Sequence, residues 1–386
     1  MFGHSQWFGY YLRSINHAGY VIIQIINLSH HVTVKKDRMK RLFPVLLSLL
    51  SLLPLTTQAV EVEQLYSASV IAVDNKSNRD LQKVAFAEVL VKVSGNATIA
   101  ADPVIKKALI NAREYLVKQA EEHVDGERYL QTSFNEKKVN RLLRGSEFGV
   151  WSQNRPQQIV WLVVDEDFNR SVRGETDTDY AEFIDAIKAQ ANKRAIPVLF
   201  PVMDLDDQLQ VSSSDLWGQF TDPVELASTR YAADNYIIAK IIKQNDDYKL
   251  TWSMYGRSNS NQAFEIWLNG QAQGELAVIG TKLTNSLANH LAERYSVKAS
   301  GNNEVVFLNV DAVTGITDYA KLIAMFADLS AVAQVDLEAV SGSSIQLKLV
   351  LLGTQQDLLT ELSLDLRIKS SKNAFDDMNF QWNAIN

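Results

Sequence analysis

From Leu42 to Leu55 the chain is apolar apart from serines and prolines, and this run decides which part of the sequence has to fold. Lys40 and Arg41 precede it as a cationic head, Pro54 stops the helix, and Thr57-Gln58-Ala59 supplies small side chains for a signal peptidase. The run is shorter than the roughly 18 to 20 apolar residues a spanning helix needs, which favours a cleaved leader over an uncleaved anchor. We read Met39–Ala59 as a signal peptide cut after Ala59, leaving a body that starts at Val60 and is exported to a bacterial periplasm. No cysteine follows the leader, so a lipid-modified N-terminus is excluded. Residues 1–38 carry four of the six histidines and a short apolar patch, Tyr20–Ile26, and read as an over-extended upstream reading frame.

Charge narrows the partners. The whole chain has 38 Lys and Arg against 45 Asp and Glu, and six of the basic residues but only one acidic residue lie before Val60. The body therefore holds 32 basic and 44 acidic side chains, a formal charge of −12. Phosphate backbones and anionic headgroups repel such a surface, which argues against nucleic acid and against direct electrostatic binding to membranes. Without cysteine there is neither a disulfide nor a thiol nucleophile, and stability must come from hydrophobic cores. After Ala59 no segment is long and apolar enough to span a bilayer. The body is longer than one core usually supports, so several domains are expected.

Hydrophobic periodicity predicts an α+β, multidomain chain of mixed α/β sandwich domains. Residues 60–157 read as an N-terminal α+β domain. Tyr66–Val73 alternates as a strand, Arg79–Val91 is helical, and Ser94-Gly95-Asn96 stops that helix. Asp102-Pro103 opens another helix, with Ala108, Leu109, Ala112, Tyr115 and Leu116 on its buried stripe. Arg128–Phe134 is a strand and Asn135–Arg144 a helix. Residues 158–297 read as a middle α/β domain. Its fully buried strand Ile159–Val164, a crossover helix through Tyr180 and Ile187, and the strand Ile196–Phe200 form a parallel pair. A helix opened by Asp222-Pro223, an antiparallel meander (236–243, 248–255, 263–268) and the long helix Gly274–Arg294 follow. Ser296–Glu304 is a linker. Residues 305–369 then give the order βαββαβ of a ferredoxin-like domain, closing on a strand at Leu364–Ile368. Residues 370–386 are a polar tail with Phe375, Phe380 and Trp382, expected as an edge strand or docking segment.

Arg79 with Leu81 and Ala85, then Val89-Leu-Val-Lys-Val-Ser-Gly-Asn96, resembles the opening signature of an uncharacterised bacterial family, domain of unknown function 2066. Trp151 to Arg155-Pro156, Ile159–Val164, Ile196–Pro201 and Asp215–Phe220 are similar to that family too, so the resemblance spans most of the body. It implies an exported protein and carries over no activity. Arg230–Lys240, placed before a meander, is similar in topology to the N-terminal domain of the Tol-system β-propeller protein and related envelope lipoproteins. Fold alone does not fix function.

No phosphate loop, dinucleotide fingerprint, His-Glu-x-x-His, nucleophile elbow or Ser-x-x-Lys is present. His123 and His290 fall in different expected domains and read as solvent-facing. The carboxylates make the strongest enzyme case. Asp165 follows one strand of the parallel pair, and Asp204, Asp206 and Asp207 follow the other. At a shared carboxyl end they would be positioned for Mg²⁺ or Ca²⁺. The plainer reading is that they solubilise loops and cap helices. Trp151, Arg155 and Pro156 read as a cover for the first core and a lead-in to the buried strand. Trp217, Phe220 and Tyr231 read as a packed corner. No catalytic residue and no cofactor are expected. The expected role is a non-catalytic protein-binding or scaffold module of the cell envelope, with an envelope protein as partner. A metal-dependent hydrolase using Asp165 and the Asp204–Asp207 group is one competing reading, a small-ligand carrier the other.

Overall fold

The computed structural model describes residues 64–72, 76–124, 126–244, 247–257, 263–371 and 378–383. Residues 1–63, with the expected leader Met39–Ala59 among them, lie outside them, as do Asn75, Asn245, Asp246, 258–261 and Phe375. Helices and strands alternate through three sheets, each with its own apolar core, so the chain is α+β and multidomain.

The first sheet begins with β1 (Ser67–Ile71). α1 (Asn78–Ser94) starts where the Ser77 side chain accepts the Asp80 amide, and it ends at Gly95, whose φ is 67°. Glycine is required there twice over. The left-handed turn excludes most side chains, and a Cβ would lie 2.3 Å from that of Ala292. α2 (Pro103–Ile110) is capped by Asp102 as predicted but stops sooner. Tyr115 and Leu116 are not on its stripe. Asn111 ends the helix, Ala112–Glu114 make one tight turn, and the chain continues as β2 (Leu116–Val124). β3 (Glu127–Phe134) lies between β1 and β2, antiparallel to both. α3 (Glu136–Gly145) follows. α1 fills the core with Leu81, Phe86, Val89, Leu90 and Val93. Each of these side chains contributes about 1.5 to 3 kcal/mol by leaving water.

The second sheet is built on β4 (Gln158–Glu166), whose first seven residues are buried on both faces. It turns back as β5 (Asn169–Arg173) across Asp167 and Phe168, both at positive φ. That is a mirror-image two-residue turn where sequence suggested only an acidic loop. α4 (Ala181–Arg194) crosses to β6 (Val198–Leu199), parallel to β4 as predicted but only two residues long. Pro197 and Pro201 flank it and lack the amides a longer ladder would use. Three short helices then cover one face: α5 (Leu205–Gln210), α6 (Ser213–Gly218) and α7 (Thr221–Thr229). The first two were not read from the sequence. β7 (Asn235–Gln244) runs parallel to β4 on its other side, and β8 (Asp247–Arg257) and β9 (Phe264–Gly274) complete the predicted meander. β9 extends well beyond the expected end at Leu268. α8 (Leu276–Tyr295) packs beside α4 on the opposite face, over Val160, Leu162 and Val164. The order is β5-β4-β7-β8-β9, with β6 beside the start of β4.

The third sheet contains β10 (Val305–Asp311), β11 (Val332–Ser341), β12 (Ser344–Leu351), β13 (Ile368–Ser370) and β14 (Asn379–Trp382). α9 (Gly315–Asp328) and α10 (Gln355–Leu362) contribute Leu322, Phe326, Leu358 and Leu362 to its core. β11, β12 and β10 follow the ferredoxin-like order, and the sheet departs from it beyond β10. Leu364–Arg367 forms a turn instead of the expected strand, because Asp365 accepts both the Arg367 amide and its guanidinium. β14 takes the place beside β10, in parallel, and β13 pairs outside it. Phe380 and Trp382 are buried in the core. The tail strand is therefore interior to its sheet, not an edge.

Candidate functional site

The four carboxylates singled out above do not meet at one strand end. β6 ends level with Ile159, and β5 takes over that edge of β4 from Leu162 onward. Asp165 lies six residues past Ile159, about 20 Å along the strand. It accepts the Phe168 amide at 3.1 Å and Arg170 Nε at 2.9 Å, which holds the β4–β5 turn. Asp204 caps α5 and receives a forked Arg230 at 2.7 and 2.5 Å. Arg230 holds the Asp204 carboxyl well below the usual range. Asp207 is buried and accepts Arg230 at 3.0 Å, the Tyr231 hydroxyl at 2.5 Å and the Met203 amide at 2.9 Å. Asp206 is exposed. These groups clamp α5 to the residues following α7. Among the described residues, no cluster of three or more His, Asp or Glu is placed to hold a metal ion.

His123 lies on the exposed strand β2 as expected. His290 does not face solvent: it is half-buried on α8 beside Trp267, and burial pushes its pKa down. Trp217 and Tyr231 pack against the α5–α7 side of the second sheet, whereas Phe220 is 60% exposed.

The segment Gly149–Arg155 makes contact with all three sheets' surroundings. Val150 bridges Val297 at 2.9 Å in both directions, and the Trp151 amide donates to Val93 O at 2.8 Å. Trp151 is buried in the second core, stacked on Tyr295, so it does more than cover the first. Arg155 is fully buried over the Trp151 ring and meets only main-chain carbonyls. It donates to Lys92 O at 2.7 Å, Ala195 O at 2.8 Å, Ser152 O at 3.1 Å, Arg194 O at 3.2 Å and Trp151 O at 3.3 Å. Burial pushes its guanidinium down to about 9. The carbonyls of Lys92, Arg194 and Ala195 belong to the C-terminal ends of α1 and α4, where unpaired C=O groups and the helix dipole favour a cation. Arg194 mirrors the arrangement, with Gly95 O at 2.8 Å and the Asn285 and Asn289 side chains of α8 at 2.7 Å each. On the third side, Glu361 is buried and accepts the amides of Ala331 and Ser330 at 2.9 and 3.1 Å, with the Ser152 hydroxyl also bound to it. Arg155 was singled out from sequence, but its role was not legible because its partners on α1 and α4 lie 39 to 63 positions away.

Away from this joint, the sheet edges carry the main-chain N–H and C=O groups to which another strand could pair. β1 and β13 are short, and β5 carries Arg170 and Arg173. β2 is nine residues long but is bulged after Leu116 and charged at Lys118, Glu121 and Glu122. β11 has two bulges and carries Asp336 and Glu338. Charges and bulges of this sort blunt an edge against pairing. β9 differs. It is eleven residues long with Glu265 as its one charged side chain, and no strand pairs with its outer side among the described residues. Its bulge at Trp267 is held by Arg294 stacked at 3.9 Å, leaving Leu268–Gly274 regular. Gly270 lets the Trp252 ring lie flat beneath this stretch.

A family model described as a domain of unknown function (DUF8605) matches residues 59–152, through the first sheet to Trp151 and Ser152. No curated protein matches by sequence. Similar solved structures include the LpoB C-terminal domain from Salmonella enterica, at 12% identity over 31% of this chain and 82% of that one, with a TM-score of 0.21. Formyltetrahydrofolate deformylase from Pseudomonas putida KT2440 is 11% identical over 51% of this chain and 92% of that one, TM-score 0.15. The enzyme of the same name from Burkholderia mallei ATCC 23344 is 11% identical over 59% and 94%, TM-score 0.15. Likenesses at these TM-scores carry no argument about function. Among the described residues, no helix is long and apolar enough to cross a membrane.

Proposed function

We propose that this chain is a non-catalytic binding module of the bacterial cell envelope, released into the periplasm by cleavage after Ala59, and that it takes an extended segment of a protein partner on β9. The observation that carries the reading is the contrast among the edges: of the described edge strands, β9 alone is both long and nearly free of charge. Strand addition draws affinity from main-chain hydrogen bonds, which such an edge offers in a row. The likeness to family 2066 and the acidic, thiol-free composition accord with an exported protein.

A photo-crosslinking side chain placed at Gln271 or Gln273 in cells, compared with one at Glu122 on β2, tests it. We expect one discrete adduct from β9, lost when the neighbouring Gln is changed to Lys, and none from β2. Adducts of equal yield from both strands, or none from β9, would overturn it. Protein recovered from osmotic-shock fluid should begin at Val60.

A further inference from the structure

Among the described residues no helix covers the face of the third sheet opposite α9 and α10, and the composition of that face is unusual for a strand surface. Every second residue of β10 points there, from Phe307 through Asn309 to Asp311, while Val306, Leu308 and Val310 fill the core. Asn and Asp are depleted in strands. Here Asn309 and Asn379 nevertheless stand directly opposite each other in the parallel β10–β14 pair, and Gln346 of β12 faces Asn309 from the other side. The sheet does not need these side chains for its core. Asn309 Nδ2 donates to Asn379 Oδ1 at 2.9 Å, which leaves each amide with its other group to offer. Gln346 has no side-chain partner among the described residues, and Asp311 accepts the Ser344 hydroxyl. With Ala339, Ser341, Ser344 and Ile345 they line an open surface depression of about 350 Å³, and Phe307 stands outside its rim. Phe307 is 49% exposed on the same face, two residues or about 7 Å before Asn309.

We propose that this face binds a neutral, polyhydroxylated sugar, with the C–H side of one ring on Phe307 and its hydroxyls on Asn309, Gln346, Asn379 and Asp311. A hydroxyl both donates and accepts, and side-chain amides offer both functions without the desolvation of a charge. An aromatic ring beside such groups suits a ligand that is apolar on one side and wet on the other. Lys348 stands opposite Phe307 and Asp311 ends the same row, so the face carries one charge of each sign with amides between them, on a body of formal charge −12, and neither a purely anionic nor a cationic ligand matches it. A purely apolar one would leave three amides unpaired. This site is separate from the β9 edge, and either reading can fail without the other.

Saturation-transfer NMR and calorimetry on the full chain, with maltotriose and chitotriose as probes, test it. At least one trisaccharide should bind saturably. Asn309→Ala and Gln346→Ala should each weaken binding roughly tenfold, and Phe307→Ala should remove transfer to the ring C–H protons. Gln271→Lys on β9 should bind as wild type does. Binding of maltotriose assigns recognition to hydroxyls alone, and binding restricted to chitotriose adds the acetamido group; both support the proposal. If neither sugar saturates by about 10 mM, or if both amide variants bind like wild type, the proposal is overturned. Should Asn309→Ala fail to fold, Gln346→Ala decides, because that side chain bonds to no other residue described.

Discussion

Arg155 and Arg230 solve opposite problems with the same side chain. Arg155 is buried and reaches five carbonyls, two local and three from 39 to 63 positions away, with no carboxylate among them. Arg230 is 43% exposed and grips Asp204 and Asp207. The buried cation is held by the ends of two helices, so it fixes their relative position. The pair of Arg230 with Asp204 is largely screened by water and salt, and the buried Asp207 keeps the Tyr231 hydroxyl and the Met203 amide as donors without it. The motif-like stretch Trp151–Arg155 is thus an organising joint, whereas the acidic group that looked most like an enzyme site is a surface clamp.

The sharpest way to break this contrast is Arg155→Ala. Five carbonyls lose their donor and a large cavity opens, so the loss should be about 3 kcal/mol or more, seen as a lower denaturant midpoint. Arg155→Lys should recover only part of it, since an ammonium cannot span the carbonyls that a planar fork reaches.

Glu361 adds a pH test on the other side of the joint. Burial pushes its carboxyl up to about 7, outweighing the two backbone amides that favour the charged form. The folded chain keeps this proton up to about pH 7, while the unfolded chain releases it near 4.5. Its contribution is therefore full below 4.5 and declines as pH rises through about 7. Denaturation midpoints at fixed temperature should fall across that window, and Glu361→Gln should flatten the profile. An unchanged slope in the variant would remove Glu361 from the joint's titration.

The smallest effect belongs to the clamp. Arg230→Ala should shift the melting temperature by no more than about 2 °C at about 0.15 M salt. A shift as large as that of Arg155→Ala would erase the distinction between the two sites.

Much of the fold was legible where one physical signal dominated. β4 announced itself as a continuous apolar run, α8 as a long amphipathic helix, and Asp102-Pro103 as a helix start. β2 was not read beyond the helix stripe that was expected to end at Leu116, because Lys118, Gln119, Ala120, Glu121 and Glu122 are good helix formers and give no strand signal. Pairing with β3 overrides that preference. β5 was missed because Asp167-Phe168 is an unusual pair for a turn with two positive φ angles. α6 did carry a signal, the capping box of Ser212 and Asp215, but a six-residue helix shows no periodicity to accompany it. The joint was hidden for a different reason. Arg155 bonds to residues 63 positions before it and 40 after it, and no local pattern encodes that. The β9 edge was readable in principle from the missing charges of Leu268–Gly274, though only once its end of the sheet was known to be open.

The placement of β14 also sets the order in which the molecule can be completed. β10 gains its inner neighbour only after residue 382 has left the ribosome, some seventy positions after β10 itself was made. Until then Val310 lacks the cover of Phe380, and the flank of β10 is an open template. Nascent chains interrupted before Asn379 are accordingly the species most prone to clump, and a chaperone that shields β10 would have its greatest value in that interval.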